Sequence, residues 1–328
     1  MKYEWNPWTR ENWSVAEKEW NDSSLPMVSI GVLNYNRCSE LRQTLDVITR
    51  AVQYPNYEVI VVDNGSTDGS IEMVRSEYPS VRIHEVGENQ GVSARNFLTP
   101  LAKGKYLFHF DDDTCPGTPA TVMRIVQHME KYPEMDALST SYYRPVTALM
   151  ETEGWEFTRV EGDSARGFVG GYVVEGGICF RLETYRKMDG YDPAWRLGQE
   201  GMELGIRLVK EGYKSCFCPW LLTLHFISSS IRAEGRSYRE HRAYANARQT
   251  IWMIAKHWPV TAAVPLMALA VLRQMLAMVI HPVMIRYKLQ GLIDGFKSVR
   301  PFLRSEPKLS WKQIWGLRRW YYSLYRWA

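Results

Sequence analysis

The chain has 328 residues, 45% of them hydrophobic and 23% charged, and a formal net charge of +4. That apolar share belongs to a globular chain, and the length allows one large domain or a domain with an appendage. The charge is unevenly placed: residues 273–328 hold 11 Lys/Arg against 2 Asp/Glu, so this tail is +9 and the body −5, which argues against a nucleic-acid partner. Of five scattered cysteines only Cys216 and Cys218 are close. A C-x-C on an expected strand lacks the second pair that a zinc site needs, and a reducing cytosolic setting is the default. No basic segment followed by an apolar run opens the sequence, so no signal peptide is expected.

Residues 1–26 read as a polar, tryptophan-rich arm (Trp5, Trp8, Trp13, Trp20) that packs on something. Residues 27–33 are an apolar strand ending in Asn34-Tyr35-Asn36-Arg37. Ser39 is then expected to cap a helix with Leu41, Leu45, Ile48 and Val52 at helical spacing. A second buried strand, 57–62, stops at Asp63, where turn chemistry runs to Ser70 and a helix follows from Ile71. A third strand covers 81–86. After a loop at 87–91, a helix carries Arg95 and Asn96. A fourth strand then runs into Asp111-Asp112-Asp113.

Strands alternating with helices predict right-handed βαβ units and a mostly parallel α/β sheet, with ligands beyond the carboxyl ends of the strands. Asn34, Asp63 and the three aspartates fall at those ends and should share one crevice. Strand alternation would put Asp111 and Asp113 on one side. Carboxylates that close repel one another unless a cation sits among them, and hard ions such as Mg2+ or Mn2+ suit carboxylates and phosphate oxygens. The plainer reading is a solvated acidic turn.

Four blocks in register, VSIGVLNYNR, VIVVDNGSTDGS, ENQGVSARN and YLFHFDDDTCPG, resemble the nucleotide-sugar half of family 2 glycosyltransferases with the GT-A fold. Further on, Gly176-Gly177 resemble that family's acceptor-side glycines. Met188-Asp189-Gly190-Tyr191-Asp192 is similar to its GGFDE turn, and Gly198 through Leu208 to its GEDxDL motif. The resemblance spans residues 27–230. It implies a metal-dependent transfer of sugar from a nucleotide-sugar donor, UDP- or dTDP-linked, to a hydroxyl of a lipid-linked or cell-surface glycan. By the same resemblance Asp111, Asp113 and His225 would hold the metal, Mg2+ or Mn2+. Leu33, Asn34, Tyr35, Arg37, Asp63, Gly91, Arg95, Asp111 and Asp112 would bind the donor, with Asp63 on the base and Asp112 on the ribose. Gly176, Gly177 and Trp195 would face the acceptor.

The hydroxyl needs a positioned base. Here the chain departs from the family, because the usual acid after Glu200 is Gly201. Glu200 and Glu203, three apart at a helix start, are the candidates, with Glu200 preferred and Glu203 binding acceptor or bracing the helix. Inversion is expected, with retention as the alternative. Bland readings stand beside these: an Asx-turn for Asp63, a surface salt bridge for Arg95, a core histidine for His225.

The expected organisation is an arm at 1–26, a GT-A catalytic domain at 27–235 and a basic, aromatic helical region at 236–328. Residues 260–280 would be long enough to span a bilayer, but Pro265 and Arg273-Gln274 argue for helices lying in the membrane interface on the cytosolic face. Tail aromatics (Trp311, Trp315, Trp320, Tyr321, Tyr322, Tyr325, Trp327) interleaved with Lys312, Arg318, Arg319 and Arg326 suit an anionic surface. Packing on the catalytic domain or in a homodimer is the rival. Two other classes remain: a nucleotidyltransferase on sugar phosphates, for which Asn34-Tyr35-Asn36-Arg37 is a poor phosphate loop, and a non-catalytic nucleotide-sugar-binding partner.

Overall fold

The structure, a computed structural model, describes residues 25–145, 149–150, 168–170, 173, 175–226, 235–280, 282–305 and 307–315. The tryptophans of the arm and the aromatic and basic residues from Arg318 onward lie outside the described residues.

The first half alternates strand and helix as the hydrophobic pattern predicts: β1 (Val28–Asn34), α1 (Cys38–Ala51), β2 (Tyr57–Asp63), α2 (Ser70–Glu77), β3 (Arg82–Glu85), a 3₁₀ turn (Gly91–Phe97) leading into α3 (Leu98–Leu101), and β4 (Tyr106–Asp111). β3, β2, β1 and β4 pair in parallel, in that spatial order. Their side chains alternate between two cores. Val59 and Val61 of β2 join Ile30, Phe108 and Leu45 on one side, while Ile60 and Val62 join Leu107, Leu98 and Phe180 on the other. Strands buried on both faces read as continuous apolar runs, which is why they were legible.

The second half is less regular: β5 (Thr114–Pro116), α4 (Thr121–Lys131), β6 (Ala137–Arg144), β7 (Leu149–Met150), β8 (Phe168–Gly170), β9 (Gly177–Arg181), α5 (Leu182–Lys187), α6 (Glu200–Lys210) and β10 (Ser215–His225). β9 runs antiparallel to both β4 and β6, and β10 returns parallel to β6 with a register shift between Cys218 and Leu222. Among the described residues this makes one ten-stranded mixed sheet.

Helices α7 (Gly235–His257), α8 (Val260–Ile280), α9 (Ile285–Lys297) and α10 (Arg300–Leu303) follow. They dock on α6 through Trp195, Met202, Ile206, Trp252, Trp258 and Leu309.

One local expectation is corrected. Ser39 does not cap α1; its hydroxyl turns to Glu40, the helix begins at Cys38, and Asp68 Oδ2 accepts the Cys38 N–H at 2.8 Å. The cap comes from the β2–α2 turn, a partner 30 residues away that no local signal announces.

Candidate active site

The carboxyl ends of β1, β2 and β4 meet. Asn34, buried at the end of β1, donates through Nδ2 to Asp63 Oδ2 (2.8 Å) and Ser66 Oγ (3.0 Å). Asp63 Oδ1 accepts the N–H groups of Ser66 (2.8 Å) and Gly65 (3.2 Å). Asp63 is therefore held in an Asx-turn and locked to β1. Asn34 Oδ1 remains buried with no hydrogen-bond partner from the protein, an acceptor that a donor N–H would satisfy. Asn64 ties the next loop in, donating to Gly91 O (3.1 Å) and accepting from Gln90 N–H (2.9 Å).

The three aspartates do not follow strand alternation, because β4 ends at Asp111 and residues 112–113 are a turn. Asp111 pairs with Arg95, which is not a surface residue: its side chain is 1% exposed, and Nε and Nη1 have no protein partner. Asp112 and Asp113 share one guanidinium, Arg37 Nη1, at 3.0 and 2.6 Å. Tyr35 N–H lies 3.3 Å from Asp112. Burial pushes the Asp112 carboxyl up to about 8 against the opposing pull of Arg37. Burial would raise Asp113 too, but His225 and Arg37 outweigh it and hold it below the usual range. His225 Nε2 lies 3.7 Å from Asp113 Oδ2, brought there by pairing of His225 with Thr114 across β10 and β5.

These residue types suit a hard divalent cation: Asp113 and His225 already lie together, and a guanidinium stands between Asp112 and Asp113 where a positive charge is called for. Arg37 is 26% exposed, with room to swing away.

On the acceptor side, β9 begins at Gly177 and the preceding turn lies on Asp111. A Cβ on Gly176 would sit 2.2 Å from Asp111 Oδ2, so the site needs glycine there. The head of α6 is shaped by Gly198 (φ +83°) and Gln199 (φ +62°), both left-handed, and Gln199 Nε2 anchors that turn to Thr250 of α7 (3.0 Å). Glu200 is buried; its Oε1 accepts the Gly198 N–H at 2.6 Å, and burial raises its pKa. Glu203 is a hub. Arg207 Nε (2.9 Å) and Lys256 Nζ (2.5 Å) occupy its two oxygens, with His257 Nε2 at 3.3 Å, and it is 1% exposed. Of the two roles open to Glu203, bracing is the one this geometry supports.

Trp195 is also 1% exposed and packs edge-on against Trp252 and Phe302, with Lys256 Nζ 5.0 Å from its ring centroid. Its ring supports α6 from beneath instead of offering a surface to an acceptor.

Sequence reasoning missed Glu175. Position 201 must be glycine because its Cβ would lie 2.1 Å from Val173 O, and the Glu175 carboxylate fills the adjacent space (3.0 Å) and takes a hydrogen bond from Gly201 N–H. Burial and the charge of Glu200 raise its pKa well above normal. The signal was the missing acid at 201, but only the fold shows which carboxylate arrives there.

Residues 29–183 match the family described as Glycosyl transferase family 2. Glycosyltransferase AglE of Haloferax volcanii is 37% identical over 100 residues, covering 29% of this chain and 33% of that protein. The N-acetylglucosaminyl-diphospho-decaprenol L-rhamnosyltransferase of Mycobacterium tuberculosis is 22% identical over 272 residues, 71% of this chain and 85% of that one. The chain spans a third or less of the length of several curated relatives that it matches. Among solved structures, the mannosyltransferase PcManGT from Pyrobaculum calidifontis, in complex with GDP-Man and Mn2+, superposes with TM-score 0.56 at 19% identity, covering 93% of this chain and 84% of that one. Residues 29–183 thus match family 2 glycosyltransferases, and the chain has the GT-A fold of that structure.

Proposed function

We propose that the chain is a metal-dependent, inverting glycosyltransferase. It takes a nucleotide-sugar donor, UDP- or dTDP-linked, and passes the sugar to a hydroxyl of a lipid-linked or surface glycan at the cytosolic face of a membrane. The observation that carries this reading is the Asp113 carboxylate beside His225 and Arg37 at the end of β4, with Asp111 tied to the buried Arg95, whose charge also acts on Glu175 and Glu200 at the head of α6. The metal-bound GDP-Man complex of the Pyrobaculum neighbour supports the donor class, and the rhamnosyltransferase relative supports a lipid-linked acceptor.

Asp113, with His225 and either Asp111 or Asp112, would hold a Mg2+ or Mn2+ ion, which when bound neutralises the diphosphate leaving group. The chain's own groups do the rest. Asn34 and the Asp63 turn receive the base, and Arg37, once released, is free to meet phosphate oxygens. Glu200 takes the proton from the acceptor hydroxyl, its raised pKa bringing it closer to the hydroxyl it must deprotonate.

The test is a panel of nucleotide sugars, with and without Mn2+, assayed for free nucleoside diphosphate and for the glycoside product. Acceptor- and Mn2+-dependent nucleoside diphosphate release is expected. Pyrophosphate formed when a nucleoside triphosphate and a sugar 1-phosphate are supplied instead would indicate nucleotidyl transfer, and binding without turnover a non-catalytic partner. The absence of an acid at Gly201 keeps retention as the second reading, and the anomeric configuration of the product against that of the donor decides it.

A further inference from the structure

A second cluster of ligating side chains lies apart from the carboxylate site and shares none of its residues. The Cys216-Phe217-Cys218 run alone is too few ligands for a metal. Folding adds one. Residues two apart on a strand share a face, so Cys216 and Cys218 both enter the core that α4 covers with Val122, Ile125, Val126 and Met129. From the last turn of α4, His128 reaches the same point: its Nε2 is 3.8 Å from Cys218 Sγ, and the three ligand atoms all lie within 4.8 Å of one another. Among the described residues no other such group of three occurs.

We propose that His128, Cys216 and Cys218 form a binding site for a thiophilic divalent cation, Zn2+ being the candidate. The dimensions fit. A tetrahedral zinc with bonds of about 2.3 Å to sulfur and about 2.0 Å to nitrogen separates its ligands by roughly 3.5–3.8 Å, a small contraction from the present arrangement. The frame is stiff, because Cys216 pairs with Leu138 and Cys218 with Thr140 in the middle of the sheet. The ligand type selects as well: two sulfurs and an imidazole favour zinc over Mg2+ or Mn2+, which the carboxylate crevice suits instead. Binding would balance as two thiol protons released for one dication bound, with the fourth position left to a small exogenous ligand such as water. The ion would pin α4 to β10 just before the register shift that leads to His225.

The full-length chain, purified in reducing buffer, is titrated with Co2+ and separately dialysed against Zn2+ for elemental analysis. Expected are a thiolate-to-cobalt charge-transfer band and about one retained zinc per chain. His128→Gln, at a half-buried helix position, should lower Co2+ affinity roughly tenfold or more without altering circular dichroism. Protection of two thiols from alkylation by Zn2+ in the native chain gives a reading that needs no variant. Asp113→Ala should leave band and zinc unchanged, which separates this site from the donor site. No charge-transfer band and no retained zinc in the folded native chain, or a band that survives Cys216→Ser/Cys218→Ser, would overturn the assignment.

Discussion

Glu200 and Glu203 sit one turn apart, and their surroundings separate them. Glu203 has both oxygens committed to cations, so Glu203→Gln should act on the fold, leaving the Arg207 charge uncompensated and Lys256 with Asp192 alone, at a cost of about 3–5 kcal/mol. A lowered Tm, with residual transfer in the surviving folded fraction, is the expected outcome. Glu200→Gln should instead keep donor binding and Tm and lose transfer by roughly 10²–10⁴-fold. Normal transfer by Glu200→Gln would remove it as base. Because burial raises Glu200, the acid limb of kcat/KM should lie above the pKa of about 4.3 of a free glutamate, activity falling as pH drops through it. Gly201→Asp writes the family's acid back into the motif, yet it should not rescue anything. Its Cβ would meet Val173 O, and a stability loss of about 1–3 kcal/mol from overpacking is expected, read as a lower melting temperature, with no gain in transfer. These contrasts show where sequence reading ran out. Asn34, Asp63 and the aspartates were legible because turn residues at the ends of buried strands must gather at one sheet edge. Glu175 and the burial of Trp195 were not, because each depends on contacts between segments distant in sequence.

At the scale of elements, α6 is clamped to α7 by buried charge. Lys256 bridges Glu203 and Asp192, both at 2.5 Å, and Arg207 donates to the carbonyls of Met188 (2.7 Å) and Gly190 (2.5 Å). His257 is wholly buried at that joint; burial lowers it to about 4, and Lys256 and Lys210 oppose its protonation while Glu203 favours it. With the native pKa below the unfolded value of about 6.5, the unfolded state binds the extra proton. Stability is therefore present above pH 6.5 and is lost as pH falls toward 4, by up to about 3 kcal/mol. The raised Asp112, Glu175 and Glu200 run the opposite way, so the His257 share is read as the difference between the native chain and His257→Gln in denaturant midpoints at pH 7, 5.5 and 4.5; an identical pH dependence in the variant would place the titration elsewhere. The start of α6 at Glu200 and the extent of α8, a nearly all-apolar run, were readable in the sequence. Their docking was not, since an apolar run looks the same whether it meets a protein or a lipid.

At the scale of the whole molecule, one face is left uncovered among the described residues. Val260, Val264, Leu272, Met275, Leu276 and Val279 of α8 are each more than half exposed, and Leu289, Ile293 and Phe296 of α9 remain exposed as well. One helix, over Val260–Val279, is long and apolar enough to cross a membrane, with 28% of that window buried. Exposed apolar surface of this kind beside a basic tail fits an anionic membrane surface. Removing everything after residue 256 would be a poor test, because Trp258, Ala262, Ala263 and Leu309 pack against Trp195 and Met202 beneath α6. The informative variant is Leu272→Ser/Leu276→Ser/Val279→Ser, which leaves that joint intact. It should lose co-sedimentation with anionic vesicles while donor turnover on a soluble acceptor stays normal; undiminished sedimentation would refute the membrane role of this face.

Arg37 has a consequence for how the proposed enzyme rests between turnovers. By bridging Asp112 and Asp113 it serves as an internal counter-ion: burial holds the proton on Asp112, so the guanidinium offsets the one charge of Asp113. A divalent ion would then enter by exchange, leaving the displaced guanidinium free to meet the phosphates. Metal and nucleotide should consequently depend on each other: Mn2+ alone or UDP alone should shift Tm little, and the two together by more than the sum. Arg37→Ala should uncouple them, binding Mn2+ more readily in the absence of nucleotide and gaining less from its arrival.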